Sequence, residues 1–184
     1  MLRKLLLSII AVISSLLWSC RNDNANWHKY SRETIERIIN QPVKMPDNIP
    51  VCYPDSTAYN QLMGETVKVL FSVDIGCSAC LSKFHYWNEF VKRFEQTHGA
   101  KVHVLAVIFA ANCNEDTKEY INSKWNHEWI YDPEGDFTFN NDLDDDRFQA
   151  ILLDANDTIR LVGNPVFNHS LGQLYEKAII ERLR

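Results

Sequence analysis

Thr66-Val67-Lys68-Val69-Leu70-Phe71-Ser72-Val73-Asp74-Ile75-Gly76-Cys77-Ser78-Ala79-Cys80, continued by Leu81 to Gly99, is the stretch that decides the fold. Thr66 to Val73 is β-branched and apolar with little alternation, as in a strand buried on both faces. Two cysteines follow directly. From there Cys80, Phe84, Trp87, Val91 and Phe94 recur at helical spacing until Gly99, which supplies a left-handed stop, so the pattern predicts a helix over 77–98. A cysteine at the first helical position faces unpaired backbone N–H groups and the positive end of the helix dipole, which favour thiolate over thiol. Cys77 is therefore the candidate nucleophile. Cys80, one turn along the stripe shared with Phe84 and Trp87, is the candidate resolving thiol and the more buried of the two. A pair that cycles between dithiol and disulfide needs no metal or organic cofactor.

Downstream, Lys101 to Ala110 reads as a second apolar strand. Asp116-Thr117-Lys118-Glu119 resembles a capping box opening a helix to about Asn126, and Glu128 to Tyr131 has the length of a short strand. Asp132-Pro133-Glu134-Gly135 is a turn signal. Phe148 to Asp154 and Thr158 to Val162, joined by Ala155-Asn156-Asp157, predict an antiparallel hairpin, and Ser170 with Gln173 a second capping box opening the last helix. The order β-α-β-α-β-β-α predicts an α/β fold, a mixed sheet flanked by helices. Upstream, Trp27 to Ile39 predicts a short helix. Pro42, Pro46, Pro50 and Pro54 make Gln41 to Asp55 extended and irregular, giving a helical and extended extension ahead of the domain.

With these elements in place the chain resembles the thioredoxin fold, and within it the bacterial periplasmic thiol-disulfide proteins of the TlpA and ResA type. The resemblance is carried by Val67 to Val73 leading into Gly76-Cys77-Ser78-Ala79-Cys80, by Val102 to Phe109, and by Tyr131-Asp132-Pro133-Glu134-Gly135 ahead of Ile151-Leu152-Leu153-Asp154. It covers roughly Glu65 to Arg184. It implies an oxidoreductase that exchanges disulfides with protein thiols or disulfides through Cys77 and Cys80. Most members carry tryptophan before the first cysteine and proline before the second, where this chain has Gly76 and Ala79. In the family a cis-proline also opens the strand facing the disulfide and helps hold the substrate chain. Phe148 stands at that position, so the resemblance puts substrate binding on Phe148, Gln149 and Gly76, with Phe148 expected trans because a cis bond before a non-proline costs about 2.5–4 kcal/mol. The missing proline also fits a competing reading, a non-catalytic thioredoxin-like binding module with a static disulfide.

Other uses of the cysteine pair fare worse. Haem attachment requires a histidine after the second cysteine, where Leu81 stands. A zinc site needs two more ligands, and Cys52, Cys113 and the 6 histidines offer no second close pair, so no metal is expected. A copper carrier of the Sco type would want a longer cysteine spacing. Asp74 replaces the threonine a peroxiredoxin would carry three residues before its cysteine. The acidic group Asp142, Asp144, Asp145 and Asp146 lacks the spacing and central glycine of a calcium loop. Cys52 and Cys113 either pair, tying the extension to the domain, or stay as two partly buried free thiols.

At the start of the chain Arg3 and Lys4 precede an apolar run from Leu5 to Leu17, the layout of a secretory signal too short to span a bilayer comfortably. Leu17-Trp18-Ser19-Cys20 resembles the bacterial lipobox, which implies removal of residues 1–19 and a lipid anchor on Cys20. The expected organisation is a signal peptide over 1–19, a lipidated tether and extension over 20–64, and a thioredoxin-like domain over 65–184 facing the periplasm or the cell exterior. The chain has 184 residues, of which 46% are hydrophobic, fitting a globular domain. Its net charge of -5 gives no basic field for nucleic acid, and losing Arg3 and Lys4 makes the remainder more acidic still, so membrane attachment would rest on acyl chains.

Overall fold

The computed structural model describes residues 31–183. The apolar run Leu5 to Leu17, Cys20, the tether Arg21 to Asn26 and the first residues of the expected 27–39 helix lie outside them. Residues 31–38 are helical (α1), and the chain from Ile38 onward forms one compact unit. Its elements are β1 (Cys52–Tyr53), α2 (Ser56–Met63), β2 (Val67–Asp74), α3 (Ser82–His98), β3 (His103–Phe109), α4 (Glu115–Lys124), β4 (Trp129–Tyr131), α5 (Asp136–Asn140), β5 (Ala150–Asp154), β6 (Ile159–Val162) and α6 (His169–Leu183). Among the described residues no helix is long and apolar enough to cross a membrane.

The sheet has the order β1-β4-β3-β2-β5-β6. β2, β3 and β4 run parallel at its centre, with Phe71 opposite Ala106 and Val107 opposite Ile130. β5 lies antiparallel to β2, Phe71 opposite Ala150, and returns through a tight turn as β6. Val67, Val69, Phe71 and Val73 alternate onto one face of β2 and share a core with Phe84, Trp87, Phe94, Trp125, Tyr175 and Ile179. Phe71 sits at its centre, stacked on Trp87 at 4.9 Å and edge-on to Trp125 at 5.2 Å. This packing fixes the end of β2 and the start of α3 against each other.

The mixed sheet and the β5–β6 hairpin are as the sequence predicts, and several local readings are corrected. Regular α3 starts at Ser82, five residues later than the periodicity implied. The α4 cap is Asn114, whose side chain accepts from Thr117 N at 2.9 Å, so Asp116 already belongs to the helix. Asn168 rather than Ser170 receives the α6 amide, from Leu171 N at 3.1 Å. Gln41 to Asp55 is less irregular than its prolines suggest: Asn40 N donates to Ile159 O and Val43 N to Asp157 O, and β1 pairs with β4 as the sheet's edge. Two short helices escape the sequence pattern. Asp55 caps α2 by accepting from Thr57 N and Ala58 N, and Asp132 caps α5 through both carboxylate oxygens, to Asp136 N and Phe137 N.

Candidate active site

β2 ends at Asp74, and the chain turns at once. Asp74 Oδ1 accepts from Gly76 N at 2.8 Å, and a Cβ on Gly76 would stand 3.2 Å from that same oxygen. Cys77 N donates back to Asp74 O at 3.3 Å. The chain then climbs mostly through bonds three residues apart, from Cys80 N to Cys77 O, Ser82 N to Ala79 O, Lys83 N to Cys80 O and Phe84 N to Leu81 O, with one four-residue bond from Leu81 N to Cys77 O at 3.3 Å. This tightened turn is what delays the regular helix. Cys77 is therefore not at the first helical position, and its stabilisation comes from nearer groups than the helix dipole.

Both thiols are free and half-buried, as are those of Cys52 and Cys113, which are not joined to one another. Cys77 Sγ accepts from Cys80 N at 3.3 Å. The Cys80 thiol donates to it as well, and these bonds, with one from the Ala79 amide, lower the Cys77 pKa against the opposing effects of partial burial and the Asp74 charge. Cys80 moves the other way, to about 11, because burial and the proton it gives Cys77 disfavour its thiolate, while Lys83 opposes the rise. The two neighbouring thiols thus shift in opposite directions, Cys77 toward ionisation and Cys80 toward keeping its proton.

The segment before β5 faces the turn. Ser72 N donates to Gln149 O at 2.9 Å, so residues 148–149 run alongside the end of β2. Only Tyr53-Pro54 is cis among the described residues, and Phe148 is joined in trans, as expected. Phe148 is 6% exposed, so its side chain is buried. Gln149 points its side chain inward to accept from Lys83 Nζ. Gly76 is exposed at the tip of the turn. Beside Asp74 and Gln149 lies a cavity of about 190 Å³, lined also by Ser72, Phe109, Asp132 and Thr138.

Lys83 was missed by the sequence reading. It is 5% exposed and donates to Ser72 O at 3.3 Å as well as to Gln149 Oε1. The available signal was its place on the apolar stripe, three residues after Cys80 and four before Trp87, where a solvent-facing lysine does not belong. Trp125 and Trp129 are core residues. Among the described residues no group of histidine, cysteine and carboxylate side chains is arranged to hold a metal.

The central parallel strands, the antiparallel hairpin on one side, and a cysteine pair in the turn from β2 to α3 define a thioredoxin-like fold. Two solved structures carry the same fold. One, described as a thiol:disulfide interchange protein DsbE from Chlorobium tepidum, is 18% identical, with 79% of this chain and 99% of that one matched at a TM-score of 0.52. The other, described as a protein disulfide isomerase from Bacteroides thetaiotaomicron, is 16% identical, with 79% and 89% matched at 0.55. No protein-family model matches the sequence, and no curated protein does.

Proposed function

We propose that the chain is a thiol-disulfide oxidoreductase that exchanges disulfides with extracytoplasmic proteins through Cys77 and Cys80. The observation that carries this reading is the pair of free thiols in the turn between β2 and α3, with Cys77 Sγ accepting from Cys80 N at 3.3 Å; the shifts of the two thiols in opposite directions agree with it. The Cys77 thiolate attacks one sulfur of a partner disulfide; a Cys77–partner disulfide forms and the other partner sulfur leaves as thiolate. Cys80 then loses its proton and attacks Cys77 Sγ, which frees the second partner thiolate and leaves Cys77 and Cys80 joined. The reverse sequence oxidises a dithiol. Gly76, next to Cys77 in the chain, and segment 148–149, which runs beside the end of β2, would receive the partner chain through backbone groups, since Phe148 is buried. The names of the two fold neighbours agree with this chemistry.

The same reading places the protein at a membrane, processed before Cys20 and held by lipid on that residue, with the domain of 65–184 outside the cytoplasm. Its support is the sequence of residues 1–20. Mass spectrometry of the native N-terminus tests it, and an unmodified Cys20 or a terminus beyond it refutes it. For the chemistry, reduction of insulin by the wild type, Cys77→Ser and Cys80→Ser is decisive. Wild type should reduce insulin, Cys77→Ser should not, and Cys80→Ser should accumulate mixed disulfides through Cys77. Wild-type activity equal to Cys77→Ser, with the pair permanently oxidised in cells, would instead mark a binding module.

A further inference from the structure

Lys83 is a buried cation that forms no ion pair among the described residues. Its ammonium is held in place by two uncharged acceptors, Ser72 O on β2 and Gln149 Oε1 on the segment before β5. The third N–H has no acceptor, and no carboxylate lies within ion-pairing distance, among the described residues. Taking an ammonium out of water without a partner is costly, and burial accordingly lowers the Lys83 pKa. The charged or ionisable groups that face it are Cys80 first, then Asp146 ahead of β5, Cys77 in the turn and Asp74 at the end of β2. Cys80 is both its strongest anionic neighbour and the thiol it stabilises as thiolate. Asp146 and Asp74 already offset part of the cation's charge, and loss of the Cys80 proton adds the largest single contribution.

The resolving step passes through that deprotonated state. Resting on the oxidoreductase reading, we propose that Lys83 is a positioning residue for resolution: its ammonium, fixed by Ser72 O and Gln149 Oε1, stabilises the Cys80 thiolate as it attacks the Cys77–partner disulfide. The Cys80 proton passes to solvent, a bond forms between Cys80 Sγ and Cys77 Sγ, the Cys77–partner bond breaks, and its electron pair leaves on the partner sulfur. Lys83 keeps its protons throughout. Gln149 belongs to the same device. By accepting from Lys83 it ties the segment that runs past the end of β2 to the start of α3, directly after Cys80, so a partner chain lying on 148–149 lies against the element that holds the cation.

Two measurements on the full chain test this. In a Cys77→Ser background, site-resolved alkylation against pH reads the Cys80 midpoint alone. Lys83→Gln and Lys83→Met should each raise it by roughly one unit or more, while Lys83→Arg, which keeps the charge, should leave it close to the parent. In the chain with both cysteines, glutathione disulfide loads Cys77, and release of the second glutathione reports resolution. Lys83→Gln should slow that release at least about tenfold at pH 7 and move its pH profile upward, with the alkylation rate of Cys77 in a Cys80→Ser background little changed. A Cys80 midpoint unmoved by both neutral variants overturns the proposal, as does resolution at the parental rate. If the parent chain itself never releases the second glutathione, the oxidoreductase reading fails, and the Cys80 midpoint still shows whether Lys83 acts on that thiol. Thermal unfolding of each variant separates these effects from loss of fold, and Lys83→Arg supplies the charge-retaining control.

Discussion

Alkylation of the reduced protein should strike Cys77 well before Cys80 at neutral pH, and the preference should vanish as the solution becomes alkaline. The magnitude follows from the two thiols' environments. With a pKa of about 11, Cys80 is ionised to about one part in 10,000 at pH 7. Cys77, lowered from 9.0, is ionised to at least about one part in 100. Thiolate abundance alone therefore favours Cys77 at least about 100-fold. Intrinsic nucleophilicity runs the other way, with a Brønsted coefficient of about 0.4–0.5, and returns roughly tenfold of that advantage over a gap of two units. The net expectation is at least about tenfold faster modification of Cys77 at pH 7. Near pH 10 Cys77 is ionised almost fully and Cys80 to about a tenth, so the nucleophilicity factor brings the two rates to about parity or favours Cys80. A short iodoacetamide pulse at a series of pH values, quenched and read residue by residue by mass spectrometry, measures the ratio directly. Equal rates at pH 7 would refute the reasoning. So would a constant ratio across the series, because that would make access rather than ionisation the source of selectivity.

Asp74→Asn keeps the oxygen that accepts from Gly76 N but removes a charge that disfavours both thiolates, so Cys77 alkylation at pH 7 should rise by a few fold with the melting temperature little changed; an unchanged or slower rate would show that the carboxylate exerts no field on the pair. Gly163 has φ +116, and an added Cβ would stand 2.8 Å from Leu171 Cδ2, so Gly163→Ala should cost about 1–3 kcal/mol of stability in denaturant unfolding, and a midpoint equal to wild type would show that the backbone there is free to relax.

The fold was legible wherever a periodicity was long. β2 and β3 are mostly apolar and β-branched, α3 keeps its stripe from Phe84 to Phe94, and Gly99, at φ 63, ends it as its lack of a side chain predicts. Elements whose existence depends on a distant partner were not legible. β1 is two residues inside a proline-rich stretch and becomes a strand only because Ile130 and Trp129 lie opposite Cys52 and Tyr53. α2 and α5 are short, and what starts them is a single aspartate, Asp55 or Asp132, whose carboxylate accepts from free amides of the first turn. Boundaries slipped for a related reason. A capping side chain is recognised by which amide it meets, and Asn114 competes in sequence with Asp116 on equal terms until the turn is built.

The site divides in the same way. Cys77 and Cys80 announce themselves by spacing and by standing between a strand and a helix, but the cause of their difference does not. The sequence argument placed Cys77 on a helix dipole, whereas in the folded chain the three-residue bonds of the turn separate it from the helix proper, and the lowering comes from Cys80 itself. Each thiol is thereby part of the other's environment, and replacing either alters the one that remains. The register argument likewise brought Phe148 and Gln149 to the correct strand end, yet could not tell which way their side chains point. Phe148 turns into the core and Gln149 turns to Lys83. A lysine reads as a surface residue wherever it occurs, because its solvation usually decides its place. On the stripe of α3, at the helical step that joins Cys80 to Trp87, that prior fails. The failure carries information: the ionisable group that acts most strongly on this buried ammonium is the thiol of Cys80, one turn before it, which is why the proposed role of Lys83 is directed at that thiol.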